Sequence, residues 1–392
     1  MQVCSAQYLR VGVYRDHAIK NIEFAHFDGV YTVYADTLEL TQIKQNEFIA
    51  LRITSDQHLE LKKGVRVLGR FKSVQLRPVH DSIGIRLRPR SPVLQNRKYQ
   101  GGFDVFPGEK GLTIVNVVLL SNYIAGVVES EGGGGKHIEY YKAQAVLSRT
   151  YAIKHKDKHK DEGFYLCDRV HCQAYHRMLT YTPLIRKAVE ETKYKIAVDS
   201  SERKLIDGYF HANCGGQTSS SSYVWNKDID YLQPFEDTFC IYTKQSHWEK
   251  KIKKVEWKRY LINNFYFPIE DTAFANQIYQ FEQPYRKAFL FSPELGIPLR
   301  DVRIHFKLRS TFFNVRPEGE YVILEGRGYG HGVGLCQEVA MSMANKGLDY
   351  QQILKFYFQG AKIKNYLEEV YFQQESGLEL YDKSNPPAFV NQ

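Results

Sequence analysis

The sequence predicts an α+β protein: a β-rich N-terminal region over residues 1–98, a mixed core of helices and antiparallel strands over 99–365, and a tail over 366–392. Three observations carry this. Short alternating apolar runs crowd the first hundred positions. Long helix-period segments begin only after them. The 392 residues exceed the roughly 250–300 at which one hydrophobic core stops growing. A hydrophobic content of 43% with 14% aromatic residues excludes a disordered chain.

Taken in order, YLRVGVY, NIEFAHF and VYTVYA alternate as strands do, and Asp28-Gly29 between the last two reads as a hairpin turn. EFIALRI, HLELK, VRVLGRF and GIRLRPR continue the pattern. Pro89 and Pro92 cannot sit inside a central strand, so Leu87 to Gly102 reads as a connector or a strand-edge crossing, with a boundary near residue 100. A strand over Leu112–Val118, a short helical turn over Ser121–Val128 and a glycine loop follow. The next helix, Glu139 to His159, carries apolar residues on more than one side. Pro183–Thr192 is helical, and IAVDS and LIDGYFHANC are strands. Two helices close the core: Cys336–Asn345, stopped at Gly347, and one opened by Asp349 with Gln352 as a capping box.

The net charge of +9 and pI near 9.0 suit an anionic partner such as nucleic acid, an acidic membrane face or an anionic wall matrix, or else a solvated surface. No RRM, zinc-finger or helix-turn-helix signature is present, so nucleic acid is not expected. The apolar stretch Gly111–Val128 is interrupted by Asn116, Ser121 and Asn122, and no transmembrane segment is expected. Met1–Tyr14 lacks the apolar run of a secretory leader. Six cysteines are too few for a disulfide scaffold at this length.

The stretch GRGYGHGVGLCQ, Gly326 to Gln337, places glycine at every second position. In an extended chain Arg327, Tyr329, His331 and Val333 would line one face and leave the other bare, a surface suited to a groove more than to a core. EGGGGKH, from Glu131, lacks the Walker spacing and is not a nucleotide loop. His155 and His159 stand at i, i+4 but within KHKDKHKDEG, which reads as a solvated helix end. In CDRVHCQAYH, Cys167, His171 and Cys172 are candidate metal ligands, with Cys214 a candidate fourth. A structural zinc, a Cys167–Cys172 disulfide and free buried thiols all remain open.

YIAGVVESE (Tyr123–Glu131), KAQAVLSRTYA (Lys142–Ala152), HANCGGQTSSSSYVW (His211–Trp225) and GRGYGHGVGLCQEVAMSMANKG (Gly326–Gly347), continuing into ILKFYFQG, occur in an order that resembles the stage II sporulation protein D (SpoIID/LytB) family over about residues 99–365. The resemblance makes 99–365 a catalytic core. It implies lytic transglycosylation of peptidoglycan glycan strands stripped of stem peptides, in the cell envelope. The alternative it implies is a non-catalytic wall-binding protein that stimulates a cell-wall amidase. Some members of the family carry zinc at the position of the cysteine cluster.

Glu131 matches the family's catalytic glutamate, and the chemistry agrees. Cleaving a glycosidic bond needs a carboxyl kept neutral by apolar surroundings, and Glu131 follows the apolar run YIAGVV. Glu129 or Glu131 as a plain helix-end carboxylate is the bland alternative. Hydrolysis would ask for a second carboxylate, and the motifs supply none apart from Glu338. A single acid suffices if the sugar's own C6 hydroxyl attacks C1; this scheme requires no cofactor, and zinc would be structural. Arg149, Tyr151, His211, Gln217, Tyr329, His331 and Gln337 are the expected substrate-binding residues. Arg149 could equally be an internal ion-pair partner, and Tyr209, Tyr223 and Trp225 suit sugar stacking or a core. Where the family's motifs carry serine this chain has Cys214 and Cys336, and Gly132-Gly133 replaces Met-Pro after the acid. A nucleophilic cysteine beside His211 or His331 would give a peptidase-like site, which the surrounding motifs disfavour.

Overall fold

The structure, a computed structural model, describes residues 7–366 apart from 202–203 and 276. The tail expected over 366–392 lies, beyond Tyr366, outside the described residues. The chain divides into two compact units, Met1–Ala197 with Ile363–Gln392, and Val198–Lys362.

The first unit opens with β1 (Tyr8–Gly12), β2 (Asn21–His26), β3 (Tyr31–Ala35), β4 (Leu38–Ile43), β5 (Phe48–Ile53), β6 (Leu59–Lys63), β7 (Arg66–Phe71), β8 (Val74–Pro78), β9 (Gly84–Ser91), β10 (Arg97–Gln100), β11 (Gly102–Gly108) and β12 (Gly111–Leu119). It continues with α1 (Leu120–Gly132), α2 (Ile138–Lys154), β13 (Leu166–Cys167), α3 (Pro183–Glu191) and β14 (Lys195–Asp199), within which the chain passes into the second unit. One sheet has the order β13-β1-β12-β11-β8-β3-β4 and the other β10-β9-β2-β5-β6-β7. Their apolar faces meet: Phe24 of β2 and Phe103 of β11 pack edge to face with centroids 5.3 Å apart, and Leu51, Leu76 and Val105 are fully buried.

Asp28-Gly29 turns the chain, with Gly29 at φ +61°, but joins strands of different sheets. β2 pairs with β5 and β9, and β3 with β4 and β8. A turn signal fixes a reversal, whereas the choice of partner is set by which apolar faces must bury together. Pro89 does lie in a strand, but beyond Leu87, where β10 stops pairing with β9, so its missing N–H falls on an open side. The boundary expected near residue 98 has no counterpart in the division into units, because β1 runs hydrogen-bonded along β12 from Tyr8↔Leu119 to Gly12↔Val115.

α1 follows β12 without a loop and runs past the expected Val128, so Glu131 sits in its last turn. α2 is buried on nearly all sides, as its apolar residues predict, but ends at Lys154, short of His159.

The second unit contains β15 (Phe210–His211), β16 (Gly216–Gln217), α4 (Ser222–Trp225), β17 (Glu236–Asp237), β18 (His247–Lys253), α5 (Lys254–Phe265), α6 (Thr272–Ala275), α7 (Leu299–His305), β19 (Phe313–Glu318), β20 (Tyr321–Arg327), β21 (Leu335–Cys336), α8 (Gln337–Asn345) and α9 (Tyr350–Tyr357). The chain returns within β22 (Ala361–Asn365). A β18-β20-β19 sheet packs with α5 and α7 around Trp257, Leu261, Val302, Phe306, Phe313 and Leu324. Of the expected strand LIDGYFHANC only Phe210–His211 forms a strand, in parallel with β21, while Leu205 and Asn213 make isolated bridges to Val198 and Tyr329. The capping box of α9 forms as the sequence predicts, Asp349 accepting from Gln352 N–H and the Gln352 side chain from Asp349 N–H. Among the described residues no helix is long and apolar enough to cross a membrane.

Candidate functional site

In the first unit Glu131 is half-buried at the end of α1, and its Oε1 accepts the backbone N–H of Ala174 at 2.7 Å. Among the described residues Oε2 has no hydrogen-bond partner. Burial raises its pKa above the ordinary carboxylate value, and the Ala174 bond opposes this only in part. Glu129, two residues earlier in α1, has a different task. Its Oε1 accepts from Tyr181 and Thr182 and its Oε2 from Thr180, all backbone N–H groups at 2.8–2.9 Å. It anchors the segment that leads into α3. The glycine loop after Glu131 is pinned by Tyr141, whose hydroxyl donates to Gly133 O and accepts from Lys136 N–H, both at 3.0 Å.

Ala174 is itself held from both sides. Tyr175 donates to the buried Asn116 Oδ1 at 3.0 Å, and its ring packs between Tyr99 and Tyr123. On the other side, Cys167, His171, Cys172 and His159 offer ligand atoms that all lie within 4.8 Å of one another. Cys172 Sγ lies 3.4 Å from His159 Nε2, and Cys167 Sγ 3.8 Å from His171 Nδ1. His159 Nδ1 lies 2.6 Å from Glu162 Oε1, the carboxylate–histidine pairing that orients a metal-binding imidazole. Cys172 beside it pulls the Cys167 thiol down to about 5. Beneath the cluster, Asp168 is fully buried and paired with Arg97 at 2.6 Å. The fourth group of this cluster is therefore His159 and not Cys214, which lies in the second unit. His159 is buried, contrary to the solvated-end reading: its lysine-rich neighbours mask it in the sequence, and its spacing from Cys167 is the one legible sign.

Arg149 does not present its guanidinium to a ligand. It is 3% exposed and donates to the carbonyls of Lys195 and Val189, and burial lowers its pKa to about 10. Tyr151 is also buried, its hydroxyl donating to His171 O at 3.4 Å and accepting from Lys158 Nζ at 3.2 Å.

In the second unit the glycine repeat is not a regular strand. Gly328, Gly330, Gly332 and Gly334 all have positive φ, and the segment lies against residues 209–215. At Gly334 (φ +72°) a Cβ would stand 2.2 Å from Tyr209 O, and at Gly328 (φ +78°) 2.6 Å from Asn213 O. The repeat thus serves close approach of the chain to itself, not a bare face for a ligand. Tyr329 exchanges backbone hydrogen bonds with Asn213 and leaves its ring 46% exposed.

Tyr209 stacks on Trp225 with centroids 4.2 Å apart, and His331 closes on Trp225 at 5.2 Å. Trp225 is 40% exposed. His331 is held down to about 3 by burial and the nearby Arg303 charge, so it is a neutral imidazole. His211 is buried with Nδ1 at 3.1 Å from Val333 O, and Gln337 is buried at the start of α8. Gln217 lines a separate cleft of about 460 Å³ with Arg327, Tyr242 and Tyr285, its Oε1 accepting from Arg286 N–H at 2.8 Å.

The family model described as Stage II sporulation protein matches residues 108–198. The chain is 30% identical over 277 residues to an uncharacterized protein of Brachyspira hyodysenteriae, covering 70% of this chain and 74% of that protein. It is 25% identical over 269 residues to stage II sporulation protein D of Bacillus subtilis, covering 64% and 75%. It is 24% identical over 293 residues to the amidase enhancer of the same organism, covering 62% of this chain and 40% of the enhancer.

Proposed function

The chain belongs to the stage II sporulation protein D (SpoIID/LytB) family, and from that premise we propose that it is a lytic transglycosylase of peptidoglycan glycan strands, acting in the cell envelope with Glu131 as its single acid and base. The observation that carries this is the state of Glu131: a carboxyl with raised pKa, one oxygen fixed by Ala174 and the other without a partner among the described residues. In the proposed reaction Glu131 gives its proton to the glycosidic oxygen as the C1–O bond breaks. The resulting carboxylate takes the proton of the C6 hydroxyl as O6 bonds to C1. The acid is regenerated, no water is consumed, and a 1,6-anhydro end is left. Hydrolysis through a second carboxylate has no support at Glu129, whose two oxygens are both occupied by backbone N–H groups.

The His159, Cys167, His171 and Cys172 set fits a structural zinc. A tetrahedral ion with ligand bonds of about 2.0–2.3 Å sets mixed sulfur–nitrogen edges near ~3.6 Å, and the recorded edges are 3.4–3.9 Å. Bound there, zinc would clamp the loop that presents Ala174 and take no part in the chemistry. Tyr329, His331 and Trp225 are the proposed sugar-binding groups of the second unit, and Gln217 with its cleft a further one.

The match to an amidase enhancer favours a second reading, in which the protein binds wall glycan and stimulates an amidase without cutting. Incubation with glycan strands lacking stem peptides, followed by mass spectrometry, separates the two: anhydro ends support the first, and intact strands with a faster amidase support the second.

A further inference from the structure

We infer that the second unit holds a metal site of its own, distinct from the Cys167 cluster, in which Cys214, Cys240, Cys336 and His211 bind a thiophilic divalent cation, with zinc the best fit. All four residues are buried. The fold brings them from three separate stretches of chain. In the parallel β15–β21 pair His211 and Cys336 are register partners, and Cys214 lies three residues beyond His211. Ligand atoms of His211, Cys214 and Cys336 lie within 4.8 Å of one another. Cys240 lies outside that grouping but beside it, its Sγ 3.2 Å from that of Cys214, and would close on the ion as the fourth ligand. Zinc–sulfur bonds of about 2.3 Å in a tetrahedron set sulfurs about 3.8 Å apart, a little more than the 3.2 Å between Cys214 and Cys240, so binding would part that pair slightly.

Independent observations point to a bound ion. His211 Nδ1 faces Val333 O at 3.1 Å, which fixes the proton there and leaves Nε2 as the lone-pair nitrogen. That Nε2 is buried and, among the described residues, has no hydrogen-bond partner, a costly arrangement for a group that could otherwise be hydrated. The Cys214 backbone N–H points at Cys336 Sγ, 3.3 Å away, a donor suited to a thiolate. Three thiolates on a divalent cation leave one net negative charge. The buried Arg286 guanidinium, 2.7 Å from Cys214 O, supplies the opposite sign. A Cys214–Cys240 disulfide would use two of the sulfurs and leave Cys336 and His211 Nε2 unaccounted for, whereas a metal uses all four groups.

The test is zinc stoichiometry of the intact protein, by elemental analysis after loading with Zn²⁺ and removing excess. The wild type is expected to hold about two equivalents, and Cys214→Ser/Cys336→Ser and Cys167→Ser/Cys172→Ser about one each. Unchanged stoichiometry in Cys214→Ser/Cys336→Ser overturns the inference, as does peptide mapping that finds Cys214 joined to Cys240. Should the double variant misfold, Co²⁺ loading of Cys167→Ser/Cys172→Ser decides: a thiolate-to-cobalt charge-transfer band supports the second site, and a spectrum without it overturns the site.

Discussion

The backbone N–H of Ala174 donates to Glu131 Oε1 at 2.7 Å, tying the last turn of α1 to the segment that follows the Cys167–Cys172 loop. One carboxyl oxygen is thereby fixed and the other has no partner among the described residues, while burial favours the protonated form.

Glu131→Gln keeps an oxygen for Ala174 and removes the titrating proton. Glycan cleavage should fall by about 10²–10⁴-fold, the usual worth of a positioned acid. Because the folded pKa is raised, the stabilising preference for the protonated form is complete below the ordinary carboxylate range and is lost as pH rises through the raised value. Thermal melts should therefore show wild type losing stability relative to Glu131→Gln across that window. Wild-type cleavage should decline over the same rise.

Glu129→Ala is expected to behave in the opposite sense. Three backbone N–H groups at Thr180, Tyr181 and Thr182 lose their acceptor, and unfolding in denaturant should show a loss of about 3 kcal/mol. A loss under about 0.5 kcal/mol would mean that those groups find water instead.

The proposed zinc at His159, Cys167, His171 and Cys172 should stiffen the loop before Ala174. Chelation, or Cys172→Ser, should speed amide hydrogen exchange at Ala174 and lower glycan cleavage, with the strands of the two sheets unaffected. Equal exchange with and without metal would remove the clamp from the account.

Gly334→Ala forces a side chain into a left-handed conformation 2.2 Å from Tyr209 O. The expected cost is about 3 kcal/mol of stability, read by thermal or denaturant unfolding. Gly133→Ala, where a Cβ meets nothing within 4 Å, carries only the conformational term and should cost less.

The strands of the first unit and the helical motifs are legible in the sequence because each rests on local periodicity or on a short motif. What was not legible depends on partners distant in the chain. Asp28-Gly29 announces a turn, yet nothing near it says that β2 and β3 belong to different sheets. His159 is hidden among lysines until folding buries it against Cys172. Arg149 looks like a ligand for a sugar carboxylate until the carbonyls of Lys195 and Val189 take its donors. The glycine repeat marks close approach correctly, but the approaching atoms belong to residues 209–215 of the chain itself. Residues 226–325 carry no element in the sequence reading. Their core around Trp257 is assembled from short helices and strands that have little periodicity of their own.

The most direct test of the central claim is mass spectrometry of glycan strands without stem peptides after incubation with wild type and with Glu131→Gln. The account predicts 1,6-anhydro-muramoyl ends from the wild type and none above background from the variant. Anhydro ends in equal amount from both proteins, or hydrated reducing ends from the wild type, would contradict it.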